Sequence, residues 1–424
     1  MSAQSNSVVL SSALNKFWRK IQGKVSTAFA HGKRPERQLY NKFDSFDVPA
    51  SQYEVTFPLD LTERGGIASI VEGGYMAGAS SVNAIEATVT AVQFNGRISI
   101  SDIAKYSDRG MENQLAVQLK NQAMQKVQAM TEHFADYFHG SATGLLAQTS
   151  STLAGTTGNV LTLTAGFGNA LITNAKYLAS QFKVGERGVI TDASNVLING
   201  VSSFFTVTAV SKANGTITVT MDGTTSDATA NKRIYKANSL EGLTVIGGSD
   251  FGKGLVGMQD IFESTTVHSV SGGTYPNWTA AYSDTSAGRF TFTKLQRAKD
   301  EIQNDGGVDV DLVLMSQGVK RDWVAQERAG LRYDDATNLN IDGDVKAKGV
   351  TFFCTKNVPP GYVRVLAKSC INKWEILPTE ENLSWGDLMP FQDLSGRWGR
   401  VDWYGNLVTK NRKGLAYFTS VTEA

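Results

Sequence analysis

The chain has 424 residues, with 41 Lys plus Arg against 40 Asp plus Glu, a formal net charge of +1. That balance excludes a surface that grips nucleic acid over its whole extent, because such affinity comes from neutralising phosphates. A hydrophobic fraction of 41% excludes a disordered chain. Charged residues make up only 19%, and neutral polar residues with 41 glycines fill the gap. A low-charge surface suits contact with neighbouring subunits, since interface cores are depleted of Lys, Glu and Asp. Cys354 and Cys370 are the only cysteines, which points to a reducing compartment and no disulfide framework. No run of 18 apolar residues is present, and Met1–Leu10 lacks a basic segment followed by an apolar one, so neither a membrane span nor a secretory signal is expected.

Residues 1–43 hold eight basic residues (Lys16, Arg19, Lys20, Lys24, Lys33, Arg34, Arg37, Lys42) and one acid, Glu36, a net +7 against −6 for the rest of the chain. Leu14, Phe17, Trp18, Ile21, Val25 and Phe29 recur at steps of three and four, which predicts a short basic amphipathic helix. Its apolar stripe could dock on its own domain, grip a neighbouring subunit, or lie on a membrane surface. Tyr53–Leu61 and Ala84–Ile100 both alternate and predict strands, joined by RGGIASIVEGGYMAGASSVN. A loose connection of that length marks a binding loop. Residues 53–101 therefore predict a long two-stranded arm, and no adjacent core is evident in the sequence to cover it. An isolated hairpin is marginal in water.

From Met111 to Phe138 the apolar positions Leu115, Leu119, Ala123, Val127, Met130, Phe134 and Phe138 predict one helix of roughly 40 Å. Its other face, Gln118, Asn121, Gln122, Gln125 and Gln128, is amide rather than charge. Residues 148–238 form a Thr-, Ser- and Val-rich block with short alternating runs and an Asn214-Gly215 turn, which predicts a small sandwich or barrel. The remainder mixes helices at 292–304 and 319–328 with strands at 308–315, 351–354, 362–367 and 373–377 and a β segment within 406–418.

Chemistry is sparse. His133 and His139 are six apart on the long helix, not the four that a helical metal pair needs, so no metal is expected. Gly252-Lys-Gly-Leu-Val-Gly257 fits the dinucleotide pattern by letter but lacks the strand–helix context and reads as a loop. The aspartates at 305, 309 and 311 and at 334, 335, 342 and 344 miss calcium-loop spacing. No cofactor and no catalytic residue is expected.

In order, SVVLSSALNKFWRKIQG to about Asp47, Glu54–Ser101 with its VEGGYMAG tip and GRISIS return, Ser107–His139, TKLQRAKDEIQNDGGVDVDLVLMSQGVKRDW and VKAKGVTFFCTKNVPPGYVRVLAK resemble the major capsid protein of tailed bacteriophages, the HK97-like fold. The resemblance covers all but 148–238. It implies an α+β chain with an N-terminal arm (1–52), an E-loop hairpin (53–104), a P-domain spine helix (105–147), an inserted β-sandwich or barrel (148–238), and the remaining P-domain and A-domain (239–424). It also implies a non-enzymatic shell protein that assembles as hexamers and pentamers into an icosahedral virion capsid around double-stranded DNA, inside the host bacterial cytoplasm. A separate scaffolding protein and a portal would be its partners, because the first E-loop strand begins near residue 53 and leaves no room for an internal scaffold. Residues 51–104 contain Arg64 and Arg97 but no Lys, so the covalent cross-linking of some relatives is not expected.

On this reading the intersubunit contacts fall on Phe17, Trp18, Ile21 and Val25 of the arm and on Gly65, Gly66, Glu72, Gly73, Gly74 and Tyr75 of the hairpin tip. Lys16, Arg19, Lys20, Lys24, Arg34 and Arg37 would form a basic arm toward the interior, meeting DNA non-specifically or a neighbouring subunit. Two alternatives stand beside it: an encapsulin-type compartment, whose interior needs no basic arm, and a β-rich ligand-binding protein with 148–238 as its module.

Overall fold

The computed structural model describes residues 18, 22, 35–46, 53–59, 61, 84–101, 112–166, 172, 174–198, 200–227, 231–237, 252, 254–330, 345–347, 349–376, 384–385, 389–390 and 396–423. They fall into two compact units. The first takes residues 1–53, 91–138 and 373–406, and the second takes 54–90, 139–372 and 407–424.

In the first unit, Glu112–Phe138 is a single helix. No Gly or Pro interrupts it, and Leu119, Ala123, Val127, Met130 and Phe134 make one buried stripe at helical spacing. The stripe packs on strand Val92–Ser101, which pairs antiparallel with Gly396–Thr409 from Ser101↔Gly396 to Val92↔Gly405. Gly96 lets the two elements approach: a Cβ there would sit 3.5 Å from Met130 Sδ. Phe94 stacks on Trp403 (5.3 Å between ring centroids) and on Tyr137 (6.1 Å), and Trp403 meets Phe134 edge-on. These rings form the core of the unit.

The second unit holds a six-stranded mixed sheet in the order Tyr282–Asp284, Leu415–Phe418, Val363–Leu366, Leu312–Met315, Val350–Cys354, Val345–Ala347. Leu312–Met315 and Val363–Leu366 are buried at every position, as central strands covered on both faces must be. Helix Phe292–Gly306 covers the sheet with Leu295, Ala298 and Ile302, and helix Gln317–Gly330 covers it with Val319 and Trp323. The first of these helices stops at Gly307, which takes φ +64° and donates its N–H to the Gln303 carbonyl.

The same unit contains a closed antiparallel barrel of six strands: Ala147–Thr149, Asn159–Ala165, Thr216–Met221, Phe204–Ser211, Arg187–Thr191 and Lys232–Lys236, in that order round the wall. Alternation turns Leu161, Leu163, Ile217, Val219 and Met221 inward and leaves threonines outside. The Asn214-Gly215 turn joins Ser211↔Thr216 as expected from the sequence, with Gly215 at φ +65°. Gly188 faces Phe205 across the wall, and a Cβ at 188 would lie 2.2 Å from that ring.

Two expectations for residues 53–101 are corrected. The return strand is not one strand. Glu54–Leu59 pairs with Ile85–Thr90 only, and Val92–Ser101 leaves for the other sheet. The signal is a change of parity: Ala87, Val89 and Ala91 are buried at odd positions, then Phe94, Gly96 and Ile98 at even ones. A slip of one residue moves every side chain to the opposite face, so the two halves cannot serve one sheet. Nor is the hairpin base without a core. Val55, Phe57, Leu59, Ala87 and Val89 are all buried within the chain, and their cover comes from residues around 266–278.

Candidate assembly elements: the hairpin base and the buried arginines

The hairpin base is seated on a smaller hairpin. Thr266–Val267 pairs with Val270–Ser271 across a two-residue turn, His268–Ser269. Both turn residues are at positive φ, +53° and +65°, as a type I′ turn demands. Asn-Gly is the usual occupant, and a non-glycine residue there costs about 1–2 kcal/mol. The surroundings hold this conformation. The His268 carbonyl accepts the Thr88 N–H at 2.9 Å, so the turn joins the return strand. The imidazole meets Phe57 of the outgoing strand edge-on at 6.1 Å, and its Nε2 accepts the Thr409 N–H at 3.0 Å. That last bond fixes Nε2 as the unprotonated nitrogen. Burial, with the Arg412 cation adding to it, pushes the imidazole down to about 3. Trp278 Nε1 donates to the Val267 carbonyl, and Asn277 Nδ2 reaches the Leu61 carbonyl at 3.1 Å.

Arg412 lies beneath this layer, buried. Its guanidinium donates to four carbonyls: Ile261 (2.9 Å), Trp278 (2.8 Å), Phe262 (3.3 Å) and Ser264 (2.8 Å). Three of those come from the end of helix Met258–Glu263, where carbonyls lose their helical partners and a cation is favoured. Burial lowers its pKa to about 10, still far above neutral, so it stays charged. Arg364 repeats the device: it is buried, pairs with Glu263 at 3.0 Å and donates to the His139 carbonyl at 3.3 Å. Burial first, and Arg364 second, hold His139 well below the usual imidazole range.

In the first unit helix Pro35–Asn41 is anchored by Arg37. Its side chain has 0% exposure, pairs with Glu375 at 2.8 Å, and stacks against Tyr40 (4.9 Å), Phe134 (5.4 Å) and Trp403 (5.7 Å). The Trp403 indole N–H shares the same Glu375 oxygen at 3.0 Å, and the Tyr40 hydroxyl donates to the Trp374 carbonyl. A guanidinium sandwiched by rings and held to one carboxylate is a structural cation.

Of the residues expected to carry assembly, Trp18 and Arg37 are described. Trp18 is helical and has no exposure within the chain itself. Arg37, counted with the basic arm toward the interior, is instead a core residue of the first unit, because Glu375 and three aromatic rings replace its water. Lys16, Phe17, Arg19, Lys20, Ile21, Lys24, Val25, Arg34, Gly65, Gly66, Glu72, Gly73, Gly74 and Tyr75 lie outside the described residues. His268, Arg364 and Arg412 were not found from the sequence. The parity change at residues 91–94 is the signal that marks where the hairpin base ends. Of the Gly252–Gly257 pattern, the described residues are outside any helix or strand, and the Gly252 and Gly254 N–H groups donate to the carbonyls of Thr143 and Ala142. Among the described residues no cluster of His, Cys, Asp and Glu could hold a metal ion, and no helix is long and apolar enough to cross a membrane.

No family model matches the sequence, and no curated protein matches it. Solved structures do. A chain of the cyanophage A-1(L) capsid asymmetric unit is similar over 91% of this chain and 91% of its own, at 9% identity and a TM-score of 0.51. The capsid of a native GTA particle is similar at 9% identity and a TM-score of 0.44, over 92% of this chain and 91% of that one. The SrpI encapsulin complex of Synechococcus elongatus follows at 10% identity and 0.40, over 92% and 89%. Together with the mixed α and β architecture, the first of these shows that the chain has a phage capsid fold.

Proposed function

We propose that the chain is the shell-forming subunit of a tailed-phage-type capsid, assembling as hexamers and pentamers into an icosahedral shell around double-stranded DNA. The observation that supports it most is likeness over nine-tenths of both chains to a capsid chain. In this reading the structure works mechanically, without catalysis. The hairpin base is seated on its own subunit through His268 and Asn277, and the role proposed for residues 62–83 is contact with a neighbouring subunit. Heterologous contacts of this kind are what a closed shell needs. The barrel of 147–236 is an inserted domain that decorates the shell or meets a neighbouring subunit. A separate scaffolding protein sets particle size, and the basic residues 16–34 meet DNA or a neighbour.

The test is deletion of Gly65–Ser80 in the full chain, assayed beside the unaltered protein by electron microscopy and circular dichroism. The expected result is a folded subunit that no longer forms shells. Normal shells from the deletion would overturn the assigned role of the hairpin.

A further inference from the structure

We propose that the His268–Ser269 turn is an acid-sensitive latch that fixes the base of the 54–59/85–90 hairpin. Three contacts converge on one buried residue: its carbonyl on Thr88, its ring on Phe57, and its Nε2 on the Thr409 N–H. The first two belong to the two strands of the hairpin, and the third to the chain's return toward its last strand. The third requires the neutral imidazole with Nε2 bare, and it holds in place the residue that makes the other two. A proton on Nε2 would set a donor against the Thr409 donor and place a cation in a site closed to water. Nδ1, which carries the proton of the neutral ring, has no hydrogen-bond partner among the described residues, so no acceptor there compensates the charge. The turn is also the strained element of the site, two adjacent non-glycine residues at positive φ, so its release relieves backbone strain.

The charged groups around the latch all disfavour or ignore that proton. Arg412, from the turn after Thr409, acts on the ring as a second cation, and Asp260 of helix Met258–Glu263 acts on Arg412. Glu263 is engaged with Arg364. Glu54 and Glu86 lie on the exposed face of the hairpin. The direction of the pH effect follows. The seated imidazole titrates near 3 and the released one near the ordinary value of 6.5. The released state therefore binds the extra proton first. The latch is at full strength above pH 6.5, and its opening constant rises about tenfold per pH unit as pH falls from there toward 3.

The experiment is amide hydrogen exchange by mass spectrometry on the full chain at pH 7 and pH 5, corrected for intrinsic rates. Segments 54–59 and 85–90 are compared with the central strand 312–315 and the barrel strand 216–221. The expected result is a rise of about 30-fold in opening of the two hairpin segments, from one and a half pH units at tenfold each, with the two reference strands unchanged. His268→Gln keeps an acceptor for the Thr409 N–H without titrating, and its hairpin should show no such rise. A second readout on the unaltered protein does not depend on that variant folding: deuterium exchange at the His268 ring C2 should report a midpoint well below 6.5. Equal protection at both pH values, opening of all four segments together, the same rise in His268→Gln, or a ring midpoint near 6.5 would each overturn the latch. Because the readout is on the subunit, failure of the latch and failure of shell assembly are separate results.

Discussion

The barrel and the hairpin base are both β structures in the second unit, and they are held in opposite ways. The barrel closes on itself within residues 147–236, so each of its six strands has a partner on both sides and supplies its own share of the core. The hairpin base has two strands, buried on one face, and its contacts run to residues some 180 to 216 positions later in the chain. Closure removes edges and makes stability a sum of local alternation. The hairpin instead depends on polar groups, a histidine in a strained turn and an arginine under four carbonyls, that must all be in place together. A module of the first kind tolerates its surroundings. One of the second kind responds to them.

The largest effect should come from Arg412→Ala, which leaves four buried carbonyls without their donor and costs about 3–5 kcal/mol. Exchange of segments 54–59 and 85–90 should accelerate together with that of helix Met258–Glu263, while barrel strand 216–221 keeps its protection. If the barrel loosens equally, the two regions are not independent. Next, Leu163→Ala opens a cavity inside the barrel and should cost about 3 kcal/mol there, read as loss of protection at 159–165 and 216–221 with the hairpin unaffected. The excised segment 145–237 should by itself unfold cooperatively in urea; a spectrum without structure would end the claim of self-containment. Gly188→Ala drives a methyl into the Phe205 ring and should lower barrel stability by about 1–3 kcal/mol, measured by the same urea midpoint. The smallest effect is a gain: Ser269→Gly removes one side chain from a positive-φ position and should stabilise the hairpin seat by about 0.5–1 kcal/mol, seen as slower exchange at Thr88.

What could be read from the residues follows the same division. The long helix, expected over 111–138, runs Glu112–Phe138 because its signal is local: apolar steps of three and four with no breaker. The strands at 159–165 and 216–221 and the Asn214-Gly215 turn were equally legible, since alternation and turn chemistry act over a few residues. The seat of the hairpin was not. Nothing in HisSer at 268–269 announces a type I′ turn, and nothing in AsnArgLysGly at 411–414 announces a buried cation. Both owe their roles to contacts made across hundreds of residues. Arg37 was misplaced for a related reason. It counts as charge in the sequence, but Glu375 and the rings of Tyr40, Phe134 and Trp403, which take it out of water, come mostly from distant segments. The break at residues 91–94 is legible in the sequence, because apolar positions fall at 85, 87, 89 and 91 and then shift to 92, 94, 98 and 100.

The most direct measurement for shell formation is electron microscopy of the full chain purified from bacteria, with nucleic acid content assayed on the same particles. The expected result is closed or partial shells built of hexamers and pentamers, variable in size when no scaffolding protein is co-expressed, with DNA inside the particles once packaging partners are supplied. A chain that stays a monodisperse monomer at concentrations of tens of micromolar, with or without a scaffold, would contradict it.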